Sequence, residues 1–139
     1  MAESLKLEIA TPLGKALAID SESVQLPGAA GEFGVLAGHL PILAALKPGI
    51  MKYRQGTETK LAVIGAGYAE ADAVHVRVIT EFFETAADVN VADAKKDLED
   101  AEARLKDHKG EFGDPAHREA QRDLEWARAR LELSSSTKN

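Results

Sequence analysis

The 139-residue sequence predicts an α+β chain, with an antiparallel β-sandwich over residues 1–86 followed by an antiparallel two-helix hairpin and short polar tail over 87–139. Three observations carry this. Up to Thr85 short apolar runs alternate with turns rich in glycine and proline, the pattern of an all-β layer. Beyond Thr85, Ala, Glu, Asp, Lys and Arg dominate. Two segments there also carry apolar residues at intervals of three and four, the period of a helix face.

Leu5, Leu7 and Ile9 alternate with Lys6 and Glu8, a half-buried first strand, and Thr11-Pro12-Leu13-Gly14 turns the chain. Ala16 to Ile19 and Val24 to Leu26 are further short strands, parted by Asp20-Ser21-Glu22-Ser23. Pro27-Gly28 leads into Gly31-Glu32-Phe33-Gly34-Val35-Leu36-Ala37-Gly38-His39-Leu40-Pro41-Ile42-Leu43, where three glycines admit turns at positive φ. Phe33, Val35 and Leu36 form one apolar run, and Leu40, Ile42 and Leu43 begin another. The stretch therefore predicts two strands joined by a tight glycine turn, with Pro41 holding the second to an edge or an irregular start. Its plainest account is an ordinary sandwich hairpin with His39 satisfied inside it.

Pro48-Gly49 is a turn by its chemistry. Strands follow at Ile50 to Arg54, at Thr59 to Ile64 after Gln55-Gly56-Thr57, and through Val74, Val76 and Val78. Phe82 and Phe83 close the region. A closed barrel is the competing arrangement, and pattern alone leaves the two open.

Past that point Val91, Ala94, Leu98, Ala101 and Leu105 make one helical stripe, with Asn90 as N-cap and Asp93 in the first turn. Lys106, Lys109 and Gly110 mark its end. Asp114 caps a second helix with Pro115 at its first position, and His117, Ala120, Leu124, Ala127 and Leu131 repeat the rhythm. The two stripes share only four leucines, so the hairpin is expected to need a surface to lean on. Trp126, Ala129 and Leu133 form a second patch away from the seam, beside Arg122. That patch either packs on the sandwich or exchanges the sandwich for a partner protein.

Function classes are narrowed mostly by what the sequence lacks. A net charge of −6 argues against nucleic acid or anionic lipid as the main partner. Cysteine is absent, which excludes disulfides and thiolate metal sites. No apolar run has the length of a membrane span, and the opening Met1-Ala2-Glu3-Ser4 shows neither a signal-peptide core nor a presequence.

Gly65-Ala66-Gly67-Tyr68-Ala69-Glu70 begins like a dinucleotide fingerprint but lacks the third glycine and precedes a strand. The glycine-rich run Gly28 to Gly34 has no Walker lysine. His39, His75, His108 and His117 have no metal-ligand spacing. Acidic residues of the helices interleave with bases as solvated pairs, such as Asp100 with Arg104 and Glu102 with Lys106. No nucleophile, base and orienter assemble. A non-catalytic chain without cofactor or metal is expected.

The order Gly31-Glu32-Phe33-Gly34, Gly38-His39-Leu40-Pro41-Ile42-Leu43, Lys47-Pro48-Gly49 and Gly65-Ala66-Gly67-Tyr68-Ala69-Glu70, followed by two helices, resembles the epsilon subunit of bacterial F-type ATP synthases (delta in mitochondria). The resemblance implies a non-catalytic rotor subunit at the foot of the central stalk, peripheral on the cytoplasmic face of the plasma membrane. Its sandwich would bind the gamma subunit and the c-ring and couple proton-driven rotation to ATP synthesis. It assigns Gly31, Glu32, Phe33, Gly34, Val35, Gly38 and His39 to that interface, with Glu32 to pair a basic loop and Phe33 or Val35 as apolar anchor.

The resemblance also implies a regulatory hairpin, permissive when folded on the sandwich and inhibiting ATP hydrolysis when extended to the alpha/beta head. Arg118, Arg122, Arg128 and Arg130, with Trp126, are its candidate residues. Glu119, Asp123, Glu125 and Glu132 balance their charge, and a merely solvated, salt-bridged helix is the competing account.

Some members bind ATP at Ile/Leu-Asp-x-x-Arg-Ala. Here the stretch is Val89-Asn90-Val91-Ala92-Asp93-Ala94, with asparagine for the aspartate and aspartate for the arginine. One helper arginine corresponds to Trp126, while Arg130 retains the other. A carboxylate in place of a phosphate-facing cation reverses the sign, so weak or absent ATP binding is expected. Two other classes fit the residues without the resemblance: a small-ligand sensor whose helical lid closes over a sandwich, and an adaptor dimerising through its helices.

Overall fold

The structure is a computed structural model that describes residues 4–39 and 41–136. Leu40, the opening Met1-Ala2-Glu3 and the end of the polar tail lie outside the described residues. Ten strands run in order: β1 (Leu5–Thr11), β2 (Gly14–Ser21), β3 (Ser23–Gly28), β4 (Gly31–Leu36), β5 (Ile42–Leu46), β6 (Gly49–Gln55), β7 (Glu58–Ile64), β8 (Gly67–Ala71), β9 (His75–Thr80) and β10 (Phe83–Thr85). A 3-10 turn, Ala86–Asp88, leads to α1 (Val91–Lys106) and α2 (Pro115–Ser136).

The strands form two layers, β10-β7-β6-β3 with β4 beside β3, and β5-β8-β9-β1-β2. They join where Gly28 of β3 meets Leu46 of β5, and there the Lys47 N–H donates to the Pro27 carbonyl at 3.0 Å. Period-two alternation sends Leu5, Leu7, Ile9, Val76 and Val78 inward from one layer and Val24, Leu26, Val35, Met51 and Ile64 from the other. All of them are essentially without exposed surface. The pairing is antiparallel except for β1 with β9, which run parallel with Lys6 opposite His75.

One long-range expectation fails. β4 and β5 are not a hairpin: β4 pairs with β3 along its whole length, from Ser23↔Leu36 to Gly28↔Gly31, and β5 pairs with β8. The glycines mark where the chain turns, but not which strand it turns onto. Gly31 (φ +135°) and Gly38 (φ +84°) do take left-handed turns, whereas Gly34 sits inside β4 opposite Gln25.

The Asn90 side chain caps α1, accepting from the Asp93 N–H at 3.1 Å, and Asp114 caps α2, accepting from the His117 N–H at 2.8 Å. α1 stops at Lys106, earlier than expected. Beyond it His108 folds back, its Nε2 lying 3.2 Å from both the Glu111 carbonyl and the Asp114 carboxylate. The helices pack antiparallel on Ala94, Ala101, Ala120, Leu124 and Ala127, all buried. Arg104 does not stay on its own helix with Asp100; it crosses to Asp123 of α2 at 2.8 Å.

Candidate functional site

The singled-out stretch divides between two ends of one strand. Gly31 and Glu32 stand at the β3–β4 turn, where Glu32 is exposed and accepts from the Gln25 side chain at 3.0 Å. Gly38 and His39 lie past the other end of β4, a strand about 17 Å long at the usual rise per strand residue. At that second end the Gly38 N–H donates to the Ala73 carbonyl at 2.8 Å, and the His39 N–H to the Leu36 carbonyl at 3.1 Å. This ties the glycine turn to the β8–β9 turn. The latter is itself held by Asp72, whose carboxylate accepts from the N–H groups of Val74 and His75 at 2.8 Å each. Those two bonds hold the Asp72 carboxyl below its ordinary value, with the neighbouring His75 assisting.

Of the two anchors named in the sequence, Val35 is fully buried and Phe33 half-buried, both against the core. The apolar side chain that β4 does present to solvent is Leu36, 62% exposed.

A larger apolar surface escaped the sequence reading. On the outer face of the β5-β8-β9 layer, Tyr68 stands between Ala45 and Ile79 in register, with Leu43 on the same face. Leu43, Tyr68 and Ile79 are each more than half exposed. Glu70 and Arg77, facing each other, border the strip. Its apolar residues lie out of phase with the core set, only one or two to a strand and interleaved with Glu70 and Arg77. That could be found only after pairing was known.

The opposite outer face is covered by the hairpin. α2 lays Ala129 and Leu133 on Val63 of β7, with Ile50, Leu61, Ala86, Val89 and Trp126 around them. Ala62 and Ile64 serve the sandwich core while Val63 serves the hairpin, which explains the uninterrupted apolarity of β7.

The Trp126 ring stacks on Phe82, with centroids 5.0 Å apart, and the Arg130 guanidinium lies 5.7 Å from the Trp126 ring. Arg130 is the buried charge of this contact. Its Nε donates to Glu84 of β10 at 2.7 Å and its Nη1 to Asp97 of α1 at 3.3 Å. Arg122 reaches only to Glu81, at 3.9 Å, and Arg118 and Arg128 are exposed. Within the degenerate nucleotide stretch, Val89 belongs to the docking cluster, Asn90 is occupied as a cap, Ala94 is buried between the helices, and Asp93 is exposed. Among the described residues no group of His, Asp and Glu is placed to hold a metal, and no helix is long and apolar enough to cross a membrane.

Comparison with known proteins accounts for this architecture. Residues 4–86 match the family described as the ATP synthase delta/epsilon chain, beta-sandwich domain. The ATP synthase epsilon chain of Syntrophobacter fumaroxidans is 39% identical over 137 residues, covering 99% of this chain and 100% of that protein. That of Geobacter metallireducens is 34% identical over 137 residues, covering 99% and 98%.

Among solved structures, a chain of the Euglena gracilis mitochondrial ATP synthase aligns at TM-score 0.78 and 22% identity, covering 95% of this chain and 81% of that one. A chain of the Tetrahymena thermophila central stalk and c-ring aligns at TM-score 0.58 and 13% identity, covering 97% and 96%. At such identities these two likenesses speak to the fold. With the sandwich matched by the family model and the whole chain by curated relatives, this protein belongs to the ATP synthase delta/epsilon chain family, as an epsilon chain.

Proposed function

We propose that the chain is a non-catalytic rotor subunit of an F-type ATP synthase, peripheral on the cytoplasmic face of the bacterial plasma membrane. Its residues 1–86 bind the gamma subunit and the c-ring and couple proton-driven ring rotation through gamma to ATP synthesis. Residues 87–139 form a regulatory hairpin that restrains ATP hydrolysis when it leaves the sandwich and reaches the alpha/beta head. The observation that carries this reading is the two-sided build of the sandwich. One outer face bears the exposed strip of Leu43, Tyr68 and Ile79, suited to a protein partner. The other bears a hairpin attached through a small apolar cluster.

The glycine stretch supplies two contact points at opposite ends of β4. Glu32 can meet a basic loop at one end, and Leu36 with Gly38 and His39 can face a second surface at the other. Arg118, Arg122 and Arg128 are the outward cations available to acidic loops of the head, with the buried Arg130 and the covered part of Trp126 uncovered on undocking. Weak or absent ATP binding at Val89, Asn90, Asp93 and Ala94 belongs to this reading, since Asp93 is an anion and Arg130 is paired with two carboxylates. The deciding experiment removes residues 88–139 and measures ATP hydrolysis in the assembled membrane complex. Hydrolysis rises with assembly intact; unchanged hydrolysis reduces the hairpin to a brace, and failure of the full chain to co-purify with the ATPase overturns the rotor assignment.

A further inference from the structure

We infer that Arg130 and Glu84 form the separable latch that sets whether the hairpin is docked, with Asp97 serving as the holder that keeps Arg130 paired after release. This rests on the reading of the hairpin as a part that leaves the sandwich. The Arg130 side chain is 8% exposed and joins three bodies at once: α2 by its own backbone, β10 through Glu84, and α1 through Asp97. The two ion pairs are not equivalent. The shorter one, 2.7 Å to Glu84, spans the boundary between hairpin and sandwich and must break on undocking. The longer one, 3.3 Å to Asp97, lies within the hairpin and can travel with it.

That inequality decides what release involves. A buried guanidinium stripped of every carboxylate is strongly disfavoured. Here the departing Arg130 retains Asp97, which is already 54% exposed, and Glu84, 26% exposed in the docked state, returns to water. Neither charge is orphaned on either side, so release does not carry the cost of a stranded buried charge. Removing Glu84's charge affects the docked state alone. The Trp126 ring, between Phe82 and the guanidinium, reports the same boundary: its stack on Phe82 breaks with the Arg130–Glu84 bond.

The test uses the full chain, which has no native cysteine, with spin labels on Lys60→Cys and Glu132→Cys and the populations of docked and released distances measured. Glu84→Gln should raise the released-to-docked ratio tenfold or more. Asp97→Asn should change it less than threefold. The reversed pair Arg130→Glu with Glu84→Arg should recover part of the docked population that Arg130→Glu alone loses. Melting of the sandwich, followed by Tyr53 and backbone signals, guards against simple unfolding, and Arg130→Lys supplies a second variant that keeps the charge.

Equal effects of Glu84→Gln and Asp97→Asn, or no effect of Glu84→Gln, overturn the latch. The same variants in the assembled ATPase separate the two readings. If Glu84→Gln releases the hairpin in the isolated chain but leaves hydrolysis unchanged, the latch stands and the regulatory role falls.

Discussion

Replacing Leu133 by alanine should free the hairpin without unfolding the sandwich. Leu133 has no exposed surface and sits with Val63 and Ala129 in a cluster separate from the one that holds the two strand layers together. Truncating a buried leucine costs about 2–5 kcal/mol. Because Leu133 contributes to docking and not to the inter-layer core, the loss falls on the docking equilibrium. At 1.4 kcal/mol per factor of ten, the docked-to-released ratio drops about 30-fold to about 4,000-fold.

Hydrogen exchange followed by mass spectrometry reads this directly. Peptides from α1 and α2 should lose protection, and the connection 107–114 should become sensitive to protease, while β1 and β9 keep their slow amides. Met51→Ala, in the sandwich core, is the control that must weaken β1 and β9. If Leu133→Ala speeds exchange in β1 and β9 as much as in α2, hairpin and sandwich are one cooperative unit, and the reasoning from separate clusters is refuted.

Trp126→Ala removes the stack on Phe82 and should also shift the hairpin toward release, by a smaller factor since the ring is only half-buried; unaltered protease sensitivity of the connection would count against it. Asp114→Ala deletes both the cap of α2 and the partner of His108, and should destabilise the first turn of α2 by about 0.5–2 kcal/mol, visible as faster exchange at residues 116–119. The Asp72 carboxyl is held below its ordinary value, so its help to the β8–β9 turn is complete above the usual carboxylate range and fades as pH falls through the lowered value. An acid titration of stability should therefore lose this contribution in Asp72→Ala, the difference between variant and parent vanishing at the most acid pH. Burial raises the Tyr53 phenol above 10.0, so stability should fall as pH climbs past that value, and Tyr53→Phe should flatten the alkaline limb.

How much of this was legible in the sequence follows from the range of the interaction concerned. β1 could be read because Leu5, Leu7 and Ile9 alternate locally, and Asn90 and Asp114 because a cap bonds within three residues. The junction of β4 and β5 misled because a turn signal is local while strand pairing is not, and Gly31 to Leu36 found its partner upstream in β3. Val35 and Phe33 looked interchangeable as anchors; the register of β4 put one wholly in the core and the other at its margin. Arg130 was the hardest to read. Among the acids and bases of α2 it resembles its solvated neighbours, and its burial depends on Glu84, 46 positions earlier. The second docking patch of Trp126, Ala129 and Leu133 was visible from spacing, but what it covers depended on Val63.

The parallel seam of β1 with β9 sets the order in which this protein takes shape on the ribosome. Lys6 must wait for His75, sixty-nine residues later, or about 3–14 s at ordinary elongation rates. Meanwhile β3 with β4 and β6 with β7 can zip with near neighbours. The seam shuts only once β9 has emerged, and both helices emerge after that. They are thus delivered onto a finished platform, and a ribosome stalled before residue 75 would hold β1 without the strand that completes it.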